Sequence, residues 1–295
     1  MKFRSPAQRV FAVCNIVFLI LTCVVCILPF LNLLAISFSS GWAVKANKVT
    51  FLPIDFTLTA YSFAFKGGRF LTALWISIQR VVLGGAVNLI LIMLTAYPLS
   101  RSSSKFAGRN VYMIYFVITM IINGGLIPTY LLVTQLGLLN SLWALVLPGA
   151  LPVFSMIILM NFIRGLPEEL EEAAMIDGAT PIMVLFRVLL PLLAPSLATV
   201  GLFSIVAHWN DWFGGLIYMQ NNMRYPLQTY LQMLLRNFER IIRLAQGDYA
   251  QIIRMMDVRT GRAAQLFMGA LPIMLIYPFL QKYFTTGLVL GSVKG

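Results

Sequence analysis

Few residues of this 295-residue chain are of the types that do chemistry, and half of its acids lie in one short segment. The segment is residues 164–187, called the acidic loop below, and its acids are Glu168, Glu169, Glu171, Glu172 and Asp177. The chain has a single histidine, which excludes a histidine-rich metal site, and no acid–base or nucleophile constellation accompanies the acids. These residues do not indicate an enzyme, and by composition alone such a charge run is most often a solvated loop.

The flanking residues predict two short helices within the acidic loop. Pro167 followed by two glutamates is typical of a helix start, because proline suits the first turn and acids suit the positive end of the helix dipole. Gly178 favours a helix end, since glycine readily adopts the left-handed conformation of a C-cap. Thr180 and Pro181 favour the start of a second helix, with threonine as its N-cap.

The composition around this loop is that of an integral membrane protein. Hydrophobic residues make up 59% of the chain and charged residues 11%, with a mean hydropathy of +0.84, against about 45–50% and about 25% in soluble domains. This excludes both a soluble globular domain and a disordered chain. The net charge of +12 therefore indicates a membrane protein before it indicates a nucleic-acid partner, which we do not expect. Cys14, Cys23 and Cys26 share one apolar run, which argues against a disulfide framework.

Six segments are long and apolar enough to cross a bilayer as helices, at roughly 20 residues each. The first follows a basic N-terminus, as in a signal peptide, but its apolar run is too long, so we expect it to be retained. The sequence predicts one all-α membrane domain over residues 1–295, with the acidic loop between the fourth and fifth spans and an outer loop at 218–262. The predicted spans are residues 11–37, 70–99, 111–135, 142–163, 188–217 and 263–284.

Basic residues decide the orientation only in part. With a cytoplasmic N-terminus, ten Lys and Arg residues lie on the cytoplasmic side and eleven on the outer side. Short loops carry more weight. The loop at residues 101–109, called the basic turn below, has three basic residues, whereas the loop at 136–141 has none. We therefore expect both termini and the acidic loop in the cytoplasm.

The acidic loop closely resembles the signature of membrane subunits in bacterial ABC importers. That signature is Glu-Ala-Ala, three residues, Gly, nine residues, Ile, one residue and Leu-Pro. This chain has it at the same spacing, with Val188 in place of Ile as the one departure. The resemblance overrides the interpretation as a merely solvated loop. The matching residues are Glu172, Ala173, Ala174, Gly178, Leu190 and Pro191.

Other segments resemble the maltose-permease-like carbohydrate-uptake family. Asn210 and Asp211 are similar to part of its fifth helix, and residues 280–295 resemble the C-terminal ends of its sugar importers. Residues 123–130 and 138–145 resemble the branch that handles complex oligosaccharides, including the alginate and lipo-oligosaccharide type permeases. The resemblance implies the transmembrane domain of a type I ABC importer in the bacterial inner membrane.

In such importers the loop docks as a coupling helix into a groove of an ATPase subunit. The resemblance gives this role to the motif residues and Asp177: the alanines permit close packing, Glu172 offers an ion-pair or cap partner, and Gly178 sets the bend. The chain has no Gly-x-x-x-x-Gly-Lys-Ser/Thr phosphate loop, so ATP and Mg²⁺ belong to a partner ATPase dimer and this chain needs no cofactor. A homologous second permease and an extracytoplasmic solute-binding protein are further implied partners. Residues 291–295 are expected to reach the ATPase dimer.

The outer loop predicts a basic amphipathic helix, with leucines from Leu227 onward on one face. In maltose-type relatives this loop contacts the binding protein; the alternative is a helix lying on the membrane or on its own subunit. The outer loop and residues 38–70 together carry a net charge of +7. That charge favours an acidic, uronate-type cargo such as alginate or pectin fragments, but an acidic binding protein explains it equally well, and a neutral oligosaccharide is the alternative. The candidate binding-protein contacts are Arg236, Arg240, Arg243 and Arg254.

Arg80 lies inside the second predicted span, where a charge is costly and suggests a role in the transport pathway. His208, Asn210 and Asp211 are further pathway candidates near the outer part of the fifth span. The alternatives are that Arg80 snorkels to the surface or pairs with Asp211, and that His208 is a packed side chain. Since Arg80 and Asp211 are the only candidates for ion coupling, a secondary transporter or channel is the weaker functional class.

Glycines mark expected packing points between helices. Gly84–Gly85 and Gly214–Gly215 are predicted to permit close helix approach. Pro128 with the glycines at 124 and 125 interrupts the third span, as either a broken, mobile helix or a packed kink.

Overall fold

The structure, a computed structural model, describes residues 6–65, 68–244 and 257–292, with side chains described for all of these except 235, 237–244, 277 and 279–292. The regular elements within these ranges are helices, and no strand occurs among them, so the all-α prediction is confirmed. The helices are α1 (Pro6–Ser37), α2 (Gly41–Lys45), α3 (Thr59–Phe65), α4 (Arg69–Ser100), α5 (Arg109–Ile121), α6 (Leu126–Gln135), α7 (Leu142–Val146), α8 (Val153–Arg164), α9 (Glu169–Ile176), α10 (Pro181–Leu192), α11 (Ala194–Asn210), α12 (Phe213–Tyr218), α13 (Leu227–Leu244) and α14 (Val258–Ser292).

Several of the described helices are able to span a membrane. By length and composition, α1 and α4 can do so unbroken. Three bent pairs, α5 with α6, α7 with α8, and α10 with α11, raise the number to as many as five if each pair is one span. The sixth predicted segment lies within α14. The membrane class follows from these helices, while the count of six remains a prediction.

The third predicted span is broken. α5 and α6 meet at an angle of 110° across residues 122–125. Gly125 has a φ of +89°, and its N–H donates to the Asn123 side chain at 2.8 Å. Pro128 lies in the first turn of α6, where its missing N–H is not needed. Gly125 therefore lies at the break and Pro128 is accommodated in the first turn of the next helix. The third predicted span is a broken helix and not the packed kink that was one alternative.

The chain also bends sharply inside the fifth predicted span. α10 runs on to Leu192 through a π-helical turn at Val184–Leu189, and α11 leaves it at an angle of 86°. Leu190 and Pro191 consequently lie in α10, on the acidic-loop side of this bend. Hydropathy missed this bend because the residues on both sides of it are apolar, so no change in composition marks the change in direction.

The chain forms two compact units, one of residues 1–70 and 231–271, the other of residues 71–230 and 272–295. In the first unit, Arg259 at the start of α14 donates to the Val44 carbonyl at 2.8 Å and to the Asn47 side-chain oxygen at 2.7 Å. These bonds hold the segment around α2 to the start of α14.

The core of the second unit joins α4 to α8, α10 and α11, and it positions the acidic loop. Partly buried Ala174 of α9 and Phe106 of the basic turn pack against this core. Burial of apolar side chains thus brings the loop and the turn to the same end of α4. The buried core residues are Ile92, Met93, Ala96, Leu99, Met156, Leu159, Met160, Ile163, Val184, Leu189 and Leu193.

Candidate functional site

The acidic loop folds into two short helices, as its sequence predicts. After α9, Gly178 has a φ of +85°, the left-handed conformation that favours glycine at a helix end. The Ala179 N–H donates to the Ala174 carbonyl at 3.0 Å, which closes the turn. Thr180 then caps α10, and its hydroxyl oxygen accepts a bond from the Met183 N–H at 3.4 Å. α9 and α10 therefore meet at a tight glycine turn.

One side of this helix pair is packed and the other protrudes. Ala174 and Leu190 pack against the core of the second unit, whereas Ala173 is exposed. The protruding side carries two strongly exposed isoleucines, Ile176 at 86% and Ile182 at 69%, together with exposed acids of the loop. We call these two isoleucines the apolar tip.

The most buried acid of the loop is one that the sequence analysis did not single out. Glu171 forms an ion pair with Arg101 of the basic turn, and the two side chains are only 10% and 17% exposed. Such a pair needs both partners, because an unpaired buried charge is strongly destabilising. The sequence offered one hint of this pairing, because the basic turn and the acidic loop are predicted to lie on the same side of the membrane.

Lys105 of the basic turn pairs with the exposed acids. Its Nζ lies 2.9 Å from Glu168 Oε2 and 3.6 Å from Glu172 Oε1. The hydrogen bond from Lys105 lowers the pKa of Glu168, and the same bond raises the pKa of Lys105. Exposed pairs of this kind contribute little stability. Glu172 remains 57% exposed, and Asp177 is exposed, so both stay accessible to a partner.

A second group of polar residues lies far from the loop along α4, and we call it the polar cluster: Arg80, Asn88, Ser204, His208 and Asp211. Arg80 is only 2% exposed and forms an ion pair with Asp211. It also donates to the Asp211 carbonyl at 2.7 Å and to the Leu145 carbonyl of α7 at 3.4 Å. This is the pairing that the sequence analysis weighed as an alternative to a pathway charge.

Asp211 also lies at the break between α11 and α12. Its Oδ1 accepts a bond from the Gly214 N–H at 2.9 Å, which caps the first turn of α12. One carboxylate thus neutralises Arg80 and starts a helix at the break between α11 and α12. Asn210, the last residue of α11, is exposed.

Asn88 is a buried polar residue of α4 that the sequence analysis missed. Its amide lies between the carbonyls of Gly84 and Ala150, at 2.9 and 3.2 Å, and accepts a bond from the Ser204 hydroxyl at 2.8 Å. His208 packs directly against Gly84, where an added Cβ would overlap the imidazole. The predicted close approach at Gly84 is therefore present, and His208 is the packed side chain that was one alternative.

A cavity of about 510 Å³ adjoins the polar cluster. Arg80, Asn88, Ser155 and Ser204 are among its polar lining residues, and the rest of the lining is mainly apolar. Since Asp211 neutralises Arg80, this arginine does not offer a free positive charge to an anionic ligand.

The predicted binding-protein contacts are only partly described. α13 confirms the amphipathic helix from Leu227, which is fully buried, and Arg236 on it is exposed. The side chains of Arg240 and Arg243 and all of Arg254 lie outside the described residues, as do residues 293–295 of the predicted ATPase-contacting tail.

Some basic side chains of the outer loop form hydrogen bonds with other groups of the same chain. Arg224 donates to the Asn140 carbonyl at 2.9 Å. Asn140 has a φ of +64°, and its side-chain oxygen accepts bonds from the Gln220 and Asn221 N–H groups, each at 3.1 Å. With Arg259 tied to the α2 segment, at least two of the outer arginines serve structure.

The comparisons with known proteins decide the family. The family of binding-protein-dependent transport system inner membrane components matches residues 88–289, which include the acidic loop, α13 and all of the polar cluster except Arg80. The chain belongs to this family. The permease is 41% identical to the protein LplC of Bacillus subtilis strain 168 over 99% of its own length and 97% of that protein.

Two further relatives carry descriptions of cargo. The polygalacturonan/rhamnogalacturonan transport system permease YtcP of Bacillus subtilis strain 168 is 38% identical over 94% of this chain and 96% of that protein. A solved chain of a bacterial ABC transporter involved in the import of the acidic polysaccharide alginate superposes with a TM-score of 0.83, at 30% identity, over 96% of this chain and all of that chain. These matches confirm the resemblance to carbohydrate permeases and the type I ABC permease fold.

Membership in this family also means that ATP is hydrolysed by a partner subunit. Permeases of this family are the membrane components of ABC importers and work with a second permease, ATPases and a binding protein, and ATP is hydrolysed by the ATPase subunits. The prediction that this chain is not an ATPase is therefore confirmed. The alternative of a secondary transporter is not supported.

Proposed function

We propose that this permease carries an acidic, uronate-type oligosaccharide from a solute-binding protein across the bacterial inner membrane. One observation carries the proposal: two relatives that match nearly the whole chain are described as handling polygalacturonan and alginate, which are both acidic polysaccharides. The cargo of this permease would then be anionic fragments of such polymers.

The outer charge supports an anionic cargo, although internal contacts use part of it. Arg224 and Arg259 are bound to groups of the same chain. Five other basic residues of the two predicted outer loops are exposed and raise the local concentration of anions. They are Lys45, Lys48, Arg69, Arg236 and Arg262.

For energy coupling, the acidic loop docks into a groove of an ATPase subunit, with the apolar tip at Ile176 as the inserted surface. The 86% exposure of Ile176 at the turn between two helices supports this role, because an apolar side chain so exposed gains free energy when a partner covers it. Asp177 and Gly178 are exposed at the same turn, and Glu172 is exposed in the first turn of α9. Leu190 and Pro191 belong to the helix that follows the turn and connects it to α11.

The whole chain then acts as one six-span transmembrane domain with both termini and the acidic loop in the cytoplasm. A homologous second permease completes the pathway, and an ATPase dimer holds ATP and Mg²⁺. The exposed arginines of the outer loop meet the binding protein. Arg80, His208 and Asp211 act in the pathway by holding the bent helices beside it, and Asn210 is the exposed residue at that bend.

The test of cargo uses the complete transporter reconstituted in liposomes with its binding protein. We expect oligouronates to stimulate ATP hydrolysis and to be taken up, whereas neutral oligosaccharides of the same length leave the rate at its basal value. Equal stimulation by neutral oligosaccharides contradicts the acidic cargo and favours a neutral one. Failure of the chain to co-purify with an ATPase subunit contradicts the coupling proposal.

A further inference from the structure

The end of α4 nearest the acidic loop is held by cations from two other segments. The last carbonyls of a helix lack partners within the helix. Here the Leu99 carbonyl accepts bonds from Arg109 Nε at 2.9 Å and from Arg164 Nη2 at 3.0 Å. The basic turn and the end of α8 are therefore both bound to the last turn of α4.

Arg101, the first residue after α4, extends this arrangement to the acidic loop. Its guanidinium lies over the Tyr97 ring, with 4.2 Å between the guanidinium carbon and the ring centroid, and pairs with Glu171 of α9. The aromatic face and the carboxylate hold the guanidinium from two directions. Arg101 thus joins the last turn of α4 to the first turn of α9.

We infer that Arg101, with Lys105 as a weaker second tie, is a positioning residue that makes α9 and α4 move as one body. When ATPase subunits displace the acidic loop, the movement then passes directly into α4. The inference rests on the proposed docking of the acidic loop.

The ion pair adds something that apolar packing does not provide. Burial of Ala174 against the core is non-directional, so it holds α9 close to α4 but leaves rotation about the α9 axis weakly fixed. The Arg101–Glu171 pair fixes that rotation, because an arginine–carboxylate bond is directional. The rotation of α9 decides which side chains, Ile176 among them, face outward.

The polar cluster contacts α4 at Arg80, well before the Arg101 end of the helix. Arg80 and Arg101 are separated by 21 residues of sequence, almost all of them helical, which corresponds to about 31 Å along an α-helix. Arg80 is bonded to Asp211 at the α11–α12 break and to the Leu145 carbonyl. A displacement of α4 at Arg101 therefore pulls on the bent segments beside the cavity.

The test uses the complete reconstituted transporter and measures two quantities, retention of the ATPase subunits and stimulation of ATP hydrolysis by the loaded binding protein. We expect Arg101→Ala and Glu171→Ala each to reduce stimulation about tenfold, within the usual range of coupling free energies. Arg101→Lys keeps the charge but loses the planar fork, so we expect an intermediate reduction. Arg9→Ala removes an exposed cation near the N-terminus and serves as the control, with stimulation as in the wild type.

The reciprocal double variant, Arg101→Glu with Glu171→Arg, separates positioning from general damage. It restores the pair with its charges exchanged, so we expect it to recover most of the stimulation. If a single variant also loses ATPase subunits, the same recovery in the double variant supports the inference.

Two results overturn the inference: full stimulation in Arg101→Ala, or no recovery in the double variant. Both leave the proposed docking intact as long as the wild-type chain retains its ATPase subunits. A wild-type chain that retains none contradicts the docking itself.

Discussion

Two arginine–carboxylate pairs lie along α4, one at Arg80 within the helix and one at Arg101 directly after its last residue, and the two pairs differ in what surrounds them. Arg80 is buried to 2% exposure and also bonds two backbone carbonyls, one of them that of Asp211, whose carboxylate caps α12. Arg101 is 17% exposed, rests on Tyr97 and has Glu171 as its carboxylate partner. Arg80 thus combines its ion pair with hydrogen bonds to two backbone carbonyls. Arg101 combines its ion pair with an aromatic contact and is more exposed to solvent.

This difference suggests a division of roles along one helix. Arg80 is bonded to Asp211 at the α11–α12 break and to the Leu145 carbonyl of α7, so we expect it to contribute mainly to stability. Arg101 joins α4 to a short surface helix with few other polar contacts, so we expect it to contribute mainly to coupling.

The largest expected effect follows removal of charge from the polar cluster. Asp211→Asn leaves Arg80 buried without a counter-charge, and we expect a loss of about 3 kcal/mol of stability, at the low end for buried pairs because Asp211 is 38% exposed. Thermal unfolding of the purified complex in detergent measures it. Asp55→Asn, at an exposed carboxylate bonded to the Trp42 indole, is the control. If Asp211→Asn unfolds at the wild-type temperature, the polar cluster does not provide the expected stabilisation.

The next effect concerns packing in the same cluster. A Cβ at Gly84 would overlap the His208 imidazole, whereas one at the adjacent Gly85 would meet nothing within 4 Å. We expect Gly84→Ala to cost about 1–3 kcal/mol as overpacking, and Gly85→Ala to be neutral or slightly stabilising. The same thermal unfolding assay compares the two. Addition of His208→Ala to Gly84→Ala should restore part of the loss, and equal unfolding temperatures for the two alanine variants would contradict the packing argument.

In the acidic loop, a change at the apolar tip should weaken binding of the ATPase subunit without lowering the stability of the chain. Ile176→Asp places a charge on the surface proposed to enter the ATPase groove, and we expect a loss of more than about 1 kcal/mol of binding. The measurement is the amount of ATPase subunit that co-purifies with the chain. Leu52→Asp, at a 77% exposed leucine in a predicted outer loop, is the matched control. Unchanged co-purification of Ile176→Asp would rule out the tip as the docking surface.

The smallest effect is expected at the exposed pair of Lys105 with Glu168. Because Lys105 lowers the pKa of Glu168 in the folded state, the stabilisation is present above the unfolded pKa and disappears as pH falls through the folded value. The stabilisation is also lost when Lys105 loses its proton, and because the pKa of Lys105 is raised this happens only at strongly alkaline pH. Unfolding temperatures of wild type and Glu168→Gln should therefore differ slightly at neutral pH and low salt, and converge in acid. A difference that persists in acid would show that the pair is not its cause.

Much of the candidate site could be predicted from local sequence. Gly178, Thr180 and Pro181 specify the two helices of the acidic loop through backbone conformations that depend on neighbouring residues alone. The apolar composition specifies a helical membrane protein because backbone groups in lipid must be satisfied within each helix. The motif at Glu172–Ala174 and Gly178 identified the family for the same reason, since its spacing is a local property.

The pairs that join these elements could not be read in this way. Arg101 and Glu171 are separated by 70 residues, and Arg80 and Asp211 by 131. Sequence patterns weigh each charge by its own neighbours, so they identified Arg80 and Asp211 as candidate partners but could not decide between pairing and a free pathway charge. The bend after Leu192 likewise lies within an apolar run. Hydropathy specifies that a segment avoids water, whereas its direction and its partners are set by packing between distant segments.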